Sequence, residues 1–318
     1  MVEFDHATQP WVDRDSFAQE AAARQAAGRL ADTGRARLEA WRREGFVALR
    51  GAVAPDLVAR LLADYERAWH QRPPLRVLVE GRGEQAFPEV APRDTLSHHH
   101  YRVMDFHEIS EAGRQIVFHD AITSTLAEIF DAPPVAMQSL LFEYGSEQRI
   151  HQDFPYVQAR IPSHLIGCWV ALEDVDEGNG PLFYLPGSHR LPLFDWGAGN
   201  LVYDGGDDQR VTAFEAHLER ICAEAGLVRT VLTARQGDVL LWHAALAHGG
   251  SPVRDPARSR KSFVIHYSTR EAYPRDRRWP DREPRVEAVG GGLRYCEPQM
   301  PRPGLLRRAW SKLGRRFT

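Results

Sequence analysis

Two imidazoles and a carboxylate in this chain are spaced so that they could hold one metal ion. In the run Arg149-Ile150-His151-Gln152-Asp153, extended backbone would throw residues two apart to the same side. His151 and Asp153 would then offer one nitrogen and one oxygen to a single point. A third ligand must come from elsewhere. His248 stands against Gly249-Gly250, where missing side chains let it approach a metal without crowding. His243 closes an apolar run, where a histidine more often serves packing. His266 alternates with Val264 in a later apolar run. His248 is the preferred choice, His243 the second and His266 the third. Two histidines and one carboxylate occupy one face of Fe(II) and leave other positions open for substrate and O2. Arg260, twelve residues beyond His248, could grip the carboxylate of an acidic cosubstrate through paired hydrogen bonds. A His-x-Asp triplet alone is close to chance in a chain of this length, so its context decides its worth.

The elements around these residues change character along the chain. The first third reads as helical. Ser16 with Gln19 resembles a capping box, and Ala-rich sequence follows to about Arg43. Residues 45–49 form a short strand pattern, and Pro55 then opens a helix whose Leu57, Val58, Leu61, Leu62, Tyr65 and Trp69 recur at helical spacing. Residues 71–100, rich in Pro, Gly, Arg and His, read as an irregular surface segment, and a lid over 73–101 is expected there. Within it, His98-His99-His100-Tyr101-Arg102 could face a pocket. Helical pattern returns over 111–130 in two pieces and stops at Pro133-Pro134. From residue 135, short β-type runs dominate: 135–144, 165–172, 182–185, 227–232, 239–243 and 262–267. Turn signals such as Asn179-Gly180-Pro181 separate them. Helices first and strands afterwards indicate an α+β layout, with helices buttressing a sandwich or jelly roll.

Composition bounds the rest. The chain has 318 residues, 43% of them hydrophobic and 26% charged, with a net charge of -3. These values describe an ordinary globular protein and give no reason to expect a nucleic-acid partner. Cys168, Cys222 and Cys296 are widely spaced and form no CxxC pattern, so a reduced, cytoplasmic compartment is expected. No signal peptide or membrane-spanning run is recognisable. Residues 302–316 carry six basic residues and no acid, interleaved with Leu305, Leu306, Ala309, Trp310 and Leu313. A basic amphipathic helix of this type can make peripheral contact with the inner membrane face, or dock on its own domain. Nothing in the pattern specifies an oligomeric state.

Three motifs in order, residues 149–153, 179–189 and 237–267, resemble the phytanoyl-CoA dioxygenase family of Fe(II)/2-oxoglutarate-dependent oxygenases. The resemblance covers roughly residues 135–270, and residues 45–49 with the following helix match the family's usual opening. It implies one domain over 1–318: a mainly helical part (1–134), a double-stranded β-helix (jelly-roll, cupin-like) core (135–270) and an extension (271–318). It makes His151, Asp153 and His248 the iron ligands and Arg260 the partner of the distal carboxylate of 2-oxoglutarate. Trp169, Ser251 and Gln138 fall at cosubstrate-pocket positions. The implied cofactors are Fe(II), 2-oxoglutarate as cosubstrate and O2. The implied reaction is hydroxylation of an unactivated C–H in a small-molecule or lipid-linked substrate, with release of succinate and CO2. Asp153 fills the position that related halogenases leave open for chloride. One departure stands out: Gly249-Gly250-Ser251 is one residue longer than the family's usual spacing, which leaves Arg258 as the alternative anchor. Two rival readings are a jelly-roll metal enzyme that does not use 2-oxoglutarate and a catalytically silent binding protein. His189 is read either as a hydrogen-bond donor behind the site or as a surface histidine.

Overall fold

The computed structural model describes residues 2–71, 76–79, 83–86, 93, 101–205, 208–274, 283 and 285–296. The N-terminal part builds a helical layer from α1 (Phe17–Ala26), α2 (Asp32–Glu44), α3 (Pro55–Gln71), α4 (Glu111–Val117) and α5 (Asp120–Phe130). In α3, Leu57, Val58, Leu61, Tyr65, Ala68 and Trp69 are buried on one stripe, as the helical spacing predicts. Ser110 caps α4 by accepting a hydrogen bond from the Gly113 N–H at 2.9 Å.

Strands β1 (Phe46–Leu49), β2 (Arg76–Val79), β3 (Gly83–Ala86), β4 (Tyr101–Met104), β5 (Val135–Phe142), β6 (Ile166–Ala171), β7 (Leu182–Tyr184), β8 (Thr230–Val231), β9 (Val239–His243), β10 (His248–Gly250), β11 (Ser262–Ser268), β12 (Val286–Val289) and β13 (Gly292–Tyr295) form two sheets. The large one runs β1-β9-β6-β11-β5-β4-β2-β3, with β13 lying parallel against the start of β5. The small one runs β10-β7-β8. The expected α+β layout with a cupin-like core is what the chain adopts.

Period-two alternation divides the large sheet's side chains between two cores. Cys168, Val170, Leu241, Phe263, Ile265 and Tyr267 pack onto the helical layer. Trp169, Leu240, Trp242, Val264 and Leu140 pack on the other side, toward Leu182 and Tyr184 of the small sheet. Strands β6, β9 and β11 are buried at every position, covered on both faces, which is why these runs read as continuous apolar stretches.

Several sequence expectations need correction. Ser16 and Gln19 form no capping box; the Ser16 hydroxyl donates to Glu20 Oε1 at 2.6 Å. The Ala-rich stretch is two helices, because the chain turns between residues 27 and 31. The stretch 71–100 is not wholly irregular, since β2 and β3 pair within it. The mainly helical part therefore contributes four strands to the sheet. The β run at 227–232 shrinks to the two residues of β8. A 17-residue helix, α6 (Asp208–Glu224), stands between β7 and β8. Its signal was present: Phe214, Leu218, Ile221 and Cys222 are buried at helical spacing and pack with Trp196. The extension adds the hairpin β12–β13 to the large sheet. The triple histidine and the basic segment 302–316 lie outside the described residues. Among the described residues no helix is long and apolar enough to cross a membrane.

One buried bond ties the helical layer to the sheet. The Tyr267 hydroxyl, on β11, donates to the Val117 carbonyl at the end of α4 over 2.6 Å. Removing the hydroxyl leaves a buried carbonyl without its partner. Tyr267→Phe will lower unfolding stability by about 1–3 kcal/mol, read from the midpoint of urea unfolding; an unchanged midpoint would contradict this account.

Candidate metal centre and its pocket

Backbone pairing brings the two histidines together. Residues 151 and 248 form an isolated antiparallel bridge between the segment after β5 and β10 of the small sheet. The His151 N–H donates to the His248 carbonyl at 2.8 Å, and the His248 N–H to the His151 carbonyl at 2.9 Å. Their rings lie 4.3 Å apart, centroid to centroid. Gln152 points the other way and donates to the Ala245 carbonyl at 2.7 Å, pinning the segment to the turn before β10. Asp153 then returns to the histidine side. His151 Nε2 lies 3.8 Å and His248 Nε2 3.7 Å from Asp153 Oδ1. One ligand atom from each residue falls within 4.8 Å of the others.

Ring orientation decides which histidines can bind a metal. His151 Nδ1 faces the Arg149 carbonyl at 2.8 Å, and His248 Nδ1 the Leu246 carbonyl at 3.0 Å. A carbonyl only accepts, so each Nδ1 carries the proton and each Nε2 presents its lone pair to the shared point. His243 is set the opposite way. Its Nδ1 accepts from the Ala245 N–H at 3.0 Å, so its proton sits on Nε2, turned toward Asp13 at 3.7 Å. His243 lies on the helical side of β9, away from the centre. His266 lies inside, with Nε2 3.4 Å from Asp153 Oδ2.

Electrostatics prepares the donors. Burial, reinforced by His248, pushes the His151 imidazole down to about 3, so it stays neutral. Burial alone would raise the Asp153 carboxyl, but His248 and His266 hold it well below the usual carboxylate range. Neutral imidazoles and an ionised carboxylate are the protonation states that metal coordination needs.

The three donors line a cavity of about 320 Å³ that also takes in Gln138, Trp169, Trp242, Arg260 and His266. Apolar walls come from Leu78, Met104, Leu140, Phe142 and Val264. Arg260 is 4% exposed. Its guanidinium donates to Ser262 Oγ at 2.9 Å and to the Tyr144 carbonyl at 3.3 Å, while Nε has no acceptor among the described residues. Burial lowers it to about 10, so it stays a cation, and no carboxylate among the described residues is bonded to it. Arg258 is spent elsewhere: it sits on the surface, paired with Asp176 at 2.9 Å through two nitrogens. The geometry therefore turns Arg260, not Arg258, into the cavity.

The remaining expected site residues divide. Trp169 lines the cavity, as does Gln138, whose amide nitrogen lies 3.2 Å from His266 Nδ1. Ser251 does not line it; its N–H donates to the Pro181 carbonyl, because the strand has turned outward by then. His189 is neither behind the centre nor at the surface. Its Nε2 faces the Arg42 carbonyl at 3.2 Å and its ring lies 5.2 Å from that of His243, in a separate cavity. Asn179 is architectural, donating to the carbonyls of Asp174 and Ser259. The sequence reading missed Trp242, whose indole N–H donates to Asp153 Oδ2 at 2.7 Å. Parity along β9 was the available signal, since Trp242 alternates with Leu241 and shares a face with Leu240.

The sequence model of the family described as phytanoyl-CoA dioxygenase (PhyH) matches residues 41–262 of this chain. The chain belongs to this family. It is 27% identical over 244 residues to the peroxisomal phytanoyl-CoA dioxygenase of Rattus norvegicus, covering 71% of this chain. The match spans 65% of that relative's length. It is also 27% identical to the ectoine dioxygenase of Bordetella parapertussis, over 76% of this chain and 78% of that protein. The same fold appears in EctD from S. alaskensis, solved with 2-oxoglutarate and 5-hydroxyectoine (18% identity, TM-score 0.55, 83% of this chain and 88% of that one). It appears again in the carbocyclase SnoK from nogalamycin biosynthesis (18% identity, TM-score 0.58, 84% and 97%).

His189 offers a titration that is separate from the metal centre. Burial, with help from Arg190, lowers it to about 4. It is neutral in the folded protein, whereas an unfolded imidazole protonates near about 6.5. Unfolding therefore takes up a proton between those values. The contribution is full above the unfolded pKa and is lost as pH falls toward the folded one. Urea midpoints at pH 7.5 and 5 will drop less for His189→Gln than for the unaltered chain; equal drops would refute the assignment.

Proposed function

We propose that this protein is a non-haem Fe(II)- and 2-oxoglutarate-dependent dioxygenase that hydroxylates an unactivated C–H bond of a small-molecule or lipid-linked substrate. The observation that carries the reading is Arg260, a buried guanidinium with no carboxylate partner among the described residues, facing the cavity that holds His151, Asp153 and His248. A buried cation of this kind is costly unless an anion meets it. A dicarboxylate with one end at the metal donors and the other at Arg260 supplies that anion. The donor set fits the metal: two imidazole nitrogens and one carboxylate oxygen suit Fe(II) with open positions. The names of the phytanoyl-CoA and ectoine dioxygenases among its relatives point the same way.

When bound, iron supplies the activation of O2 coupled to oxidative decarboxylation of 2-oxoglutarate to succinate and CO2. The chain does the positioning. His151, Asp153 and His248 hold the ion with Nε2 lone pairs and one carboxylate oxygen. Arg260, held from behind by the Ser262 hydroxyl, would receive the distal carboxylate, with Trp169 as a wall beside it. Arg102 also lines the cavity and helps keep His151 neutral. Leu78, Met104, Leu140 and Val264 exclude water and give a C–H-rich substrate an apolar surface. Complete metal donors speak against a silent binding protein, and the unmatched Arg260 against an enzyme that needs no oxoacid.

Anaerobic addition of Fe(II) and then 2-oxoglutarate will produce a weak visible charge-transfer band; iron binding without that band would sink the oxoacid reading. Arg260→Ala will weaken 2-oxoglutarate binding by about 2–4 kcal/mol, the cost of truncating one partner of a buried charge pair. Iron affinity will change little. Arg258→Ala, at the surface pair, will leave both unchanged, and the reverse ranking would move the anchor. Asp153→Ala will abolish iron-dependent succinate formation, and retained turnover would remove Asp153 from the ligand set.

A further inference from the structure

The two oxygens of Asp153 have different surroundings. Oδ1 faces the imidazoles, 3.8 Å from His151 Nε2 and 3.7 Å from His248 Nε2. Oδ2 faces away. It accepts from the Trp242 indole N–H at 2.7 Å and lies 3.4 Å from His266 Nε2. An indole nitrogen can only donate. The His266 proton is directed to Nε2 by Gln138, whose amide nitrogen stands 3.2 Å from Nδ1 and donates to it. Asp153, Trp242 and His266 are all buried, so bulk water does not compete for Oδ2.

We propose that Trp242 and His266 are positioning residues that restrict Asp153 to coordination through one oxygen, and that Gly167 is the seat that aims the indole. This rests on the iron and 2-oxoglutarate reading and deepens it. With its outer oxygen bonded by the indole N–H and faced by His266 Nε2 at 3.4 Å, the carboxylate is kept from swinging or chelating. The consequence is a count of open positions. Two imidazoles and one carboxylate oxygen would hold Fe(II) and leave positions open for cosubstrate and O2. A carboxylate bound through both oxygens would take up one of those positions. The indole N–H would also draw charge from the ligand and so tune the ion.

Gly167 explains how the indole is placed. It stands opposite Trp242 in the pairing of β6 with β9. A Cβ built on Gly167 would lie 2.2 Å from Trp242 Cε2 and 2.6 Å from Nε1. Real side chains do not approach so closely, so a larger residue at 167 must displace the indole and its N–H from Asp153.

The test is titration of the full-length protein with Co(II) in the absence of 2-oxoglutarate, following affinity and the visible d–d band, which reports coordination number. Trp242→Phe will lower Co(II) affinity by about 10- to 100-fold and alter the band. Gly167→Ala will reproduce that change, and the double variant will be no worse than Trp242→Phe alone. Wild-type affinity and band in Trp242→Phe would overturn the proposal, as would multiplied losses in the double variant. Should Trp242→Phe not fold, the His266 variants decide. His266→Gln, which keeps a donor, will bind Co(II) more tightly than His266→Leu, and equal affinity would overturn the proposal. With no oxoacid present, failure here leaves the 2-oxoglutarate reading standing. Absence of the Fe(II)–oxoacid band in the unaltered chain would instead sink that reading without touching this result.

Discussion

The antiparallel bridge between residues 151 and 248 is the constraint on which the rest of the site depends. It ties the segment after β5 to β10 through the backbone, and it holds two candidate metal ligands by main-chain hydrogen bonds instead of side-chain packing. Backbone pairing is well suited to this task because each bond is obligatory once buried. The carbonyls at 149 and 246, held by the same geometry, orient the two rings. Asp153 follows two residues later because the segment remains extended. A one-residue slip of this pairing would turn Gln152 toward the metal and lose the site.

From that bridge, parity distributes the chemistry. On β5, β6, β9 and β11, alternate residues go to the helical core and to the inner cavity. Gln138, Trp169, Trp242 and His266 therefore meet over one cavity although they come from four strands. The helical layer acts through the outward residues: it buries their apolar side chains and holds the sheet flat against α3, α4 and α5. The cost of placing Arg260 in the interior is accepted within the same scheme. Its side chain lies between Phe142 and Trp169 with only a hydroxyl and a carbonyl as partners, a condition that a dicarboxylate would relieve.

Much of this was legible in the sequence because the relevant patterns are local. The His-x-Asp spacing needs only an extended backbone. The helices α3 to α5 follow from periodicity, and β5, β6, β9 and β11 from their apolar runs. What failed also failed for physical reasons. The helix α6 was overlooked because its apolar stripe is narrow amid charged residues and it lies between strands. The strands β2 and β3 were overlooked because they are short, lie in a stretch rich in Pro, Gly, Arg and His, and are fixed by pairing, β2 with β4 and β3 with β2. Ser251 was placed in the pocket by its position after the glycines, but the chain has turned away by then to pair with Pro181.

The sequence by itself determined the donor types, their order and the strands that carry them, since spacing and periodicity are properties of adjacent residues. It left open whether His243, His248 or His266 completed the set and whether Arg258 or Arg260 faced inward. Only the tertiary structure decided these, because each choice depends on a partner far away in the chain. Asp13 faces His243 on the outer side, Asp176 holds Arg258 at the surface, and the pairing of 151 with 248 brings two distant segments to one point. The same holds for the indole on Asp153, which exists because β6 offers a glycine opposite Trp242. Burial and the meeting of separate segments are set by such distant neighbours, and no local pattern encodes them.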